Sequence, residues 1–369
     1  MACPLCNGGD TRSIYSVENI PVFQNKVFAS PAAAHGAVTG SVDLQQCQFC
    51  NFIYNASFDD SLMDYDSDYQ NEQANSAHFQ AHLDGVLDSL RPLLQSSPRI
   101  IEIGCGKGHF LDMVVAAGFG ITGFDPAFEG ENPNIRKDYF SEKYSDIEAD
   151  LIVLRHTLEH IGEPLKFLHH IAKANNYRGR IFIEVPDADW IFANYAFWDV
   201  FFEHCNYFTR QTLGSLFNHC EAGSLFDGQY QYVIAELSAL KHVSELEQQE
   251  PIELPDLGNR LAIYREKVSA AAPLLVWGAG AKGSTFANLV DPDGRLIRAV
   301  VDINPRKAGR YLAKSGHEIL DPDTALQLLE SPFVLVMNAN YQSEIEAQIE
   351  SLGIAATCCS LENLPTYAG

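Results

Sequence analysis

Basic residues are scarce in this chain. Its 369 residues include 25 Lys and Arg against 48 Asp and Glu, which gives a formal net charge of -23. Nonspecific binding to nucleic acid needs clustered Lys and Arg that displace counterions, so this composition argues against a nucleic-acid partner. We expect a well-solvated acidic surface, a property that says little about the fold.

Long apolar runs are also missing. No run approaches the roughly 20 residues of a membrane span, so the sequence predicts no membrane partner. The first ten residues, MACPLCNGGD, lack the basic segment and the apolar core of a secretory signal. Nine cysteines are too few for a disulfide scaffold in a chain of this length. Together these absences predict a cytoplasmic protein.

Four of the cysteines are paired along the sequence. CPLC supplies Cys3 and Cys6, and CQFC supplies Cys47 and Cys50. Two such turns present four thiolates, the ligand set of a tetrahedral, structural Zn²⁺ site with no position left for a catalytic water. About 40 residues separate the two pairs, more than in a usual zinc ribbon, so the segment between them must loop out and return.

The order of apolar runs predicts an α/β fold in three modules. Residues 1–60 are rich in turns, carry the two cysteine pairs and form the predicted zinc-binding module. Residues 61–240 contain a helical pattern, AHFQAHLDGVLDSL, and then the strand-like runs RIIEIG, ITGFD, ADLIVL and GRIFIEVP, with helical segments between them. Residues 241–369 repeat the alternation with PLLVWG, IRAVVDIN and PFVLVMNAN. Such alternation indicates parallel sheets covered by helices, so we expect two Rossmann-like domains.

The first of two glycine-rich loops, EIGCGKG, follows the run RIIEIG. The backbone can turn tightly at Gly104, approach a ligand at Gly106 and begin a helix after Gly108, while Asp125 ends the next strand about 20 residues on. Sites for NAD and for S-adenosylmethionine share this plan. Glu102, two positions before the first glycine, would crowd a pyrophosphate but suits a cationic amino-acid ligand. The loop therefore favours S-adenosylmethionine.

Several motifs in order, IIEIGCGKGHFL, GFDP, ADLIVLRHTLEHI and GRIFIEVP, resemble a class I methyltransferase that uses S-adenosylmethionine. The resemblance covers about 140 residues and implies a Rossmann-like methyltransferase core. It places the loop near the methionine portion of the cofactor and Asp125 on the ribose. The segment DYQNEQANSAHFQAHL looks like one that wraps over the cofactor. The residues that the resemblance assigns to cofactor binding are Tyr69, Gln73, Ser76, His82, Glu102, Gly104, Cys105, Gly106, Asp125, Pro126, Asp138, Arg155 and His156.

The three modules together resemble the sugar C-methyltransferases, which methylate a carbon next to the ketone of a nucleotide-linked deoxysugar. Their chemistry removes a proton alpha to a carbonyl, and the densest constellation for it is FFEHCNYF. His204 is the predicted general base, Glu203 would orient it or bind a sugar hydroxyl, and Asn206 or Tyr207 would steady the enolate oxygen. Phe201 occupies a position where some members of that family have a tyrosine, so it is a predicted substrate contact. An aromatic core turn whose polar groups satisfy the backbone is the alternative.

The second glycine loop, VWGAGAKG, matches GxGxxG with Gly278, Gly280 and Gly283, and Asp302 follows about 20 residues later. The pattern alone favours NAD. Lys282, however, is unusual inside a dinucleotide loop and suits a phosphate. In the resembling family this domain encloses substrate, so we expect Lys282 and the loop amides to bind the diphosphate of a nucleotide-linked sugar. A domain that only packs is the other possibility.

Four functions follow from these motifs. The first is a zinc-stapled C-methyltransferase acting on a nucleotide-linked keto-deoxysugar. The second is an O- or N-methyltransferase for a polysaccharide or a secondary-metabolite precursor, in which His204 deprotonates a hydroxyl or an amine. The third is an NAD-dependent oxidoreductase that uses the Gly278 loop, although no residue suited to hydride transfer accompanies it. The fourth is a noncatalytic scaffold, which would predict a degenerate first loop, whereas the loop is intact.

Overall fold

The first sixty residues form a long antiparallel hairpin around the cysteine turns. The computed structural model describes residues 2–63, 76–94, 98–145 and 147–364. The eleven residues of the first strand were not expected in a segment rich in turns. The pairing register is irregular between Ser13 and Tyr15 and between Val17 and Ile20. These irregularities interrupt the alternation of apolar and polar residues by which a strand is recognised in a sequence. The elements here are β1 (Thr11–Pro21), β2 (Val27–Phe28), α1 (Pro31–His35), β3 (Thr39–Cys47) and β4 (Ile53–Asn55).

The middle of the chain folds into a seven-stranded sheet. Its order is β11-β12-β9-β8-β5-β6-β7, in which β5 to β9 run parallel and β11 and β12 are antiparallel. This confirms the Rossmann-like core that the apolar runs predict. The elements are α2 (Ala77–Leu90), β5 (Ile100–Ile103), α3 (His109–Ala116), β6 (Ile121–Phe124), β7 (Ile135–Arg136), β8 (Leu151–Arg155), α4 (Pro164–Ala174), β9 (Arg180–Pro186), α5 (Ala188–Ala193), β10 (Asn206–Tyr207), α6 (Arg210–Gly214), β11 (Glu221–Leu225) and β12 (Tyr230–Glu236).

The C-terminal part forms a second seven-stranded sheet, of order β18-β17-β13-β14-β16-β15-β2. Strands β13, β14, β16, β17 and β18 are parallel, which confirms the second Rossmann-like domain. Its own elements are α7 (Leu257–Ala271), β13 (Leu274–Trp277), α8 (Ala281–Val290), β14 (Ile297–Val301), β15 (Arg310–Leu312), β16 (Glu318–Leu320), α9 (Pro322–Leu326), β17 (Phe333–Val336), α10 (Gln342–Ser351) and β18 (Thr357–Ser360).

The three parts exchange strands and share their cores. Strand β2 of the first part closes the C-terminal sheet against β15, while β10 of the middle part extends the N-terminal sheet at β4. One apolar cluster joins Phe52 to Phe208, and another joins Val22 to Phe286. The domain boundaries at residues 60 and 240 therefore remain predictions, since backbone pairing crosses both. No helix of the described residues is long and apolar enough to cross a membrane.

Candidate active site

The first glycine loop lies at the carboxyl edge of the middle sheet, between β5 and α3. Gly104 has a φ of +75°, and a Cβ there would come within 2.2 Å of Thr157 Oγ1, so only glycine fits. Gly106 also has a positive φ, and its N–H donates to Asp125 Oδ2 at 2.8 Å. A Cβ on Gly106 would meet none of the described atoms within 4 Å, which leaves room for a ligand to approach. Cys105 is buried between these two glycines.

Glu102 is the penultimate residue of β5, just before this loop. It is 3% exposed, and its Oε2 accepts no hydrogen bond from the described residues. Burial raises the pKa of the Glu102 carboxyl to about 8, although Arg155 opposes the rise. A buried carboxyl with an unused oxygen fits a cationic group of a ligand, because such a group would supply the missing partner. The donor set therefore fits S-adenosylmethionine, whose amino-acid portion carries an ammonium and a sulfonium.

The floor of this edge is a charged network centred on Glu184 of β9. Arg155 donates from Nε to Glu184 Oε2 at 2.6 Å, and His82 Nε2 lies 2.8 Å from Glu184 Oε1. His156, with a φ of +47°, lies between Glu184 and Glu159 at 3.6 and 3.4 Å. Burial alone would lower the pKa of His156, but the facing carboxylates of Glu159 and Glu184 raise it to about 9. The structure thus brings Arg155, His156 and His82 together around Glu184.

Two further residues that the resemblance assigns to the cofactor, Pro126 and Asp138, lie farther along the sheet edge. Pro126 is exposed after Asp125. Asp138 follows β7, where Tyr144 donates a hydrogen bond to it at 2.6 Å and Lys143 forms an ion pair with it. These contacts hold the pKa of the Asp138 carboxyl below its usual range, with the Lys143 hydrogen bond the largest cause. Asp138 therefore lies at the next strand along the same sheet edge, with its carboxylate already engaged.

Ser76 links α2 to the C-terminal domain. Its hydroxyl accepts from the Phe79 N–H at 3.2 Å, which caps the helix, and donates to Glu344 Oε2 at 2.9 Å. Ser76 therefore tethers the helix that carries His82 to α10. Tyr69 and Gln73, the other residues assigned to this segment, lie outside the described residues.

A cavity of about 270 Å³ lies between the middle sheet and the C-terminal domain. All three parts of the chain contribute to its wall, and two of the predicted catalytic residues, Glu203 and His204, meet the second glycine loop there. The lining residues used below are Asn25, His156, Glu159, His160, Phe201, Glu203, His204, Gln229, Lys282, Lys307 and Asn338.

His204 lies on the cavity wall in the loop before β10. Its ring is 4.8 Å from the rings of Phe201 and His160, centroid to centroid and nearly edge-on to each. Burial, together with the nearby histidines, holds the pKa of His204 well below its usual range. Glu203 is 2% exposed and accepts from the backbone N–H of Gln24 at 3.0 Å. The loop is thus positioned partly by the N-terminal hairpin.

Asn206 and Tyr207 do not face the cavity. The Asn206 amide donates to the carbonyls of Leu158 and Ile161 at 3.2 and 2.6 Å, and the Tyr207 hydroxyl bonds the N–H and carbonyl of Phe201. Their polar groups satisfy the backbone of the neighbouring turns, as in the alternative interpretation of this stretch. The expected contact with an enolate oxygen stays a prediction for both residues, whose donor groups are engaged with the backbone in this structure.

Lys282 reaches the same cavity from the start of α8. Its Nζ lies 2.8 Å from Asp199 Oδ2 and donates to Gln229 Oε1 at 2.7 Å. The Gln229 amide in turn bonds the amide of Asn338, so the second glycine loop is joined to the start of β12 and to the end of β17. The structure places Lys282 and Phe201 in one cavity, although in this state Lys282 has an acidic partner.

The second glycine loop differs from a dinucleotide site in the contacts of its acidic residue, Asp302. Asp302 Oδ2 accepts from the Ala279 N–H at 2.9 Å and lies 3.4 Å from Lys307 Nζ. Lys307 is 3% exposed and also donates to the Ala279 carbonyl. In a dinucleotide site this acid would take the ribose hydroxyls. Here it neutralises a buried lysine, which argues against the oxidoreductase alternative.

The four paired cysteines converge at the base of the N-terminal hairpin. One ligand atom of each lies within 4.8 Å of the other three. The Sγ atoms of Cys3 and Cys50 are 3.8 Å apart, and those of Cys6 and Cys47 are 3.5 Å apart. A tetrahedral site with Zn–S bonds of about 2.3 Å separates its sulfurs by about 3.8 Å. The Gly8 N–H also donates to Cys6 Sγ at 3.4 Å, as in a second coordination shell.

Both cysteine turns are followed by an asparagine in the same conformation. Asn7 and Asn51 have φ values of 63° and 59°, and each N–H donates to the carbonyl of the first cysteine of its turn at 2.9 Å. The segment 241–256 returns to this module, where the Asn51 amide donates to the Glu250 carbonyl. The module therefore has two matching turns and is covered by the linker to the C-terminal domain.

Several cavity residues escaped the sequence analysis. Gln229 and Asn338 carry no motif, Asn25 comes from a segment to which no chemistry was assigned, and Glu159 and His160 lie in the cofactor motif LRHTLEH but had no role in the prediction. Lys307 follows the acid of the second glycine loop, and this spacing could have drawn attention to it. The others meet only through tertiary packing, and no local spacing indicates them.

Two family models match the chain. One, described as a methyltransferase domain, covers residues 76–221, and the other, described as a C-methyltransferase C-terminal domain, covers residues 259–356. No curated protein sequence matches. The two models account for the middle sheet with its glycine loop and for the C-terminal domain.

Solved structures are similar to the chain over less than half of its length. A SAM-dependent methyltransferase from Archaeoglobus fulgidus is 16% identical over 44% of this chain and 95% of its own, with a TM-score of 0.34. A 1,6-didemethyltoxoflavin-N1-methyltransferase from Burkholderia thailandensis is 14% identical over 44% and 78%, with a TM-score of 0.32. An S-adenosylmethionine dependent methyltransferase from Mesorhizobium loti is 15% identical over 41% and 98%, with a TM-score of 0.30.

Proposed function

This chain is an S-adenosylmethionine-dependent methyltransferase with a C-methyltransferase C-terminal domain, and we propose that it methylates a carbon of a nucleotide-linked keto-deoxysugar. One observation carries the proposal. A single cavity is lined by His204 and Glu203 and by Lys282 of the second glycine loop. A base for an acidic C–H and a cation for a diphosphate are therefore available to one substrate.

The cofactor would lie at the carboxyl edge of the middle sheet, where it would present an electrophilic methyl group to the cavity. Gly104 and Gly106 allow it to approach the backbone, Glu102 faces its cationic portion and Asp125 its ribose. Arg155 and His156 form the floor between this edge and the cavity. The chain's part is to bind the cofactor, orient it and exclude water.

His204 is the proposed general base. Its imidazole lines the cavity, with the Phe201 ring edge-on to it. It takes the proton from the carbon next to the keto group, and the C–H electrons form the enolate. S-adenosylmethionine, held by Glu102 and the first glycine loop, would supply the methyl group that the enolate carbon accepts. Glu203, buried beside His204, is placed to hold a sugar hydroxyl.

Lys282 and the amides of the second glycine loop are proposed to bind the diphosphate. The loop opens a ten-residue helix, α8, whose N-terminus adds a favourable field for an anion. Asp199 pairs with Lys282, so the diphosphate would compete with that carboxylate. The four cysteines are proposed to hold one structural Zn²⁺, because their sulfur spacing fits tetrahedral coordination.

The test is product analysis with a ¹³C-methyl-labelled cofactor and nucleotide-linked keto-deoxysugars as acceptors. We expect a new C–¹³CH₃ signal, with His204→Ala lowering kcat at least about 100-fold while the calorimetric affinity for S-adenosylhomocysteine stays within twofold. Lys282→Met should raise KM for the nucleotide-linked sugar and leave KM for the free sugar unchanged. An O- or N-linked label would establish the alternative acceptor, and a His204→Ala enzyme that keeps its rate would refute the base.

A further inference from the structure

A cluster of donor atoms on the cavity wall has the composition of a metal site. Glu159, His160 and His204 each place one possible ligand atom within 4.8 Å of the other two. Two imidazoles and one carboxylate form a ligand set that first-row divalent cations such as Mn²⁺, Fe²⁺ and Zn²⁺ accept, with open positions for water or substrate. This cluster is separate from the four thiolates of the N-terminal module.

Glu159 is the observation that points to a ligand. It is 1% exposed, and neither of its carboxylate oxygens accepts a hydrogen bond from the described residues; His156 Nδ1, with which it forms an ion pair, is 3.4 Å away. Burying a carboxylate without hydrogen bonds is costly unless something compensates the charge. The imidazole of His156 faces both Glu159 and Glu184, so it compensates the Glu159 charge only in part, and a cation at the cavity wall would supply the rest.

His160 is oriented as metal-bound histidines usually are. Its Nδ1 lies 2.9 Å from the backbone carbonyl of Glu203, and a carbonyl can only accept, so Nδ1 carries the proton. The lone pair is then on Nε2. Metal-ligating histidines commonly donate their other N–H to a carbonyl or carboxylate in this way, which fixes the tautomer and the ring.

The surrounding hydrogen bonds hold the cluster together. The Asn206 amide donates to Leu158 and Ile161 on either side of the Glu159–His160 turn, and Cys205 Sγ lies 3.4 Å from the Glu159 carbonyl. The segment that carries His204 is therefore tied directly to the turn that carries the other two ligands. A preorganised set of this kind binds a cation without rearranging the backbone.

We propose that Glu159, His160 and His204 bind one first-row divalent cation. The binding site itself does not depend on the proposed function, but its effect on catalysis rests on it. If His204 is the general base, the bound cation takes up the lone pair that the base needs. Cation binding and proton abstraction then exclude each other at this nitrogen. The cation inhibits methyl transfer, and removing it restores the rate.

The experiment titrates the zinc-loaded, full-length protein with Mn²⁺ and follows the loss of the free Mn²⁺ signal by electron paramagnetic resonance. Mn²⁺ prefers oxygen and imidazole ligands and does not displace Zn²⁺ from four thiolates. We expect one Mn²⁺ per chain, with an affinity at least tenfold weaker in Glu159→Gln. Glu163→Gln is the matched control, because Glu163 is exposed and paired with Lys166; it should bind as the wild type does.

Absence of Mn²⁺ binding to the wild type, or equal binding by Glu159→Gln, would overturn the site. Circular dichroism and zinc content confirm that each variant is folded. The initial rate of methyl transfer is measured over the same Mn²⁺ range and should fall with the midpoint of binding. A rate that rises with binding would keep the site but overturn His204 as base, whereas no transfer at any Mn²⁺ concentration would overturn the proposed function alone.

Discussion

At the scale of a single residue, Glu102 has an ionisation that cofactor binding should change. Burial raises its pKa to about 8, so near neutral pH most of the carboxyl is protonated and uncharged. A cationic cofactor interacts better with the ionised form, whose fraction increases as pH rises through about 8. Affinity for S-adenosylmethionine should therefore increase between pH 6.5 and pH 8, by at most about tenfold per pH unit, and then level off.

Calorimetry of cofactor binding at several pH values measures this effect, with Glu102→Gln as the test variant. Because glutamine does not titrate, its affinity should be weaker at pH 8 and nearly independent of pH over this range. Glu129→Gln, at an exposed position after β6, is the matched control and should follow the wild type. A wild-type affinity that is flat across this range would show that Glu102 does not sense the cofactor charge.

Glu102 also illustrates what the sequence conveys at this scale. Its place two residues before Gly104 fixes it at the end of a strand, so its position was predictable from local spacing. The roles of Asn206 and Tyr207 were not, although both lie in the same conspicuous stretch as His204. Which side of a turn a polar group faces depends on the carbonyls packed against it, and those come from residues about 45 positions away.

At the scale of elements, Asn206 acts as a brace between the β10 strand and the turn after β8. Replacing it with leucine removes two hydrogen bonds, so the Ile161 carbonyl loses this donor and the Leu158 carbonyl keeps only the Ile161 N–H at 3.3 Å. The free energy of unfolding should fall by about 1–3 kcal/mol. The rate kcat should fall as well, because His204 is no longer held in register with the turn, while cofactor affinity should be unchanged.

Denaturant unfolding and steady-state kinetics of Asn206→Leu check both parts. Asn218→Leu, at an exposed position beyond α6, serves as the control and should change neither quantity. If Asn206→Leu lost stability but kept its kcat, the brace would be structural only and His204 would be held by other contacts.

Helices and strands with a strong local sequence pattern were predictable, whereas two-residue strands that pair with another module were not. The parallel strands of both sheets and α2 follow from runs of apolar residues and their spacing. Strands β2 and β10 have two residues each and exist because an edge strand of another module offers its backbone. No periodicity marks two residues, so the exchange of strands between modules could not be derived from the sequence.

At the scale of the whole molecule, the N-terminal module contributes to the cavity that holds the proposed catalytic residues. Its hairpin supplies Gln24 to Glu203 and Asn25 to the cavity wall. The sequence predicts the cysteine site from its CxxC spacing but treats it as a separate staple. The cysteine site is connected to the loop that carries His204 through one apolar core, in which Cys47 and Phe52 pack with Phe208.

This coupling predicts how Cys47→Ser behaves. The wild type should contain one Zn²⁺ per chain, and the variant should lose it, because three thiolates with a hydroxyl bind the metal less well. The hairpin should then loosen, the melting temperature should fall by several degrees, and kcat should decrease because Gln24 no longer holds the Glu203 loop. Zinc analysis, calorimetric melting and turnover are measured together, with Cys220→Ser as the control, since Cys220 lies outside the cluster. Loss of zinc with full turnover would separate the module from catalysis, whereas retained zinc would refute the four-thiolate site itself.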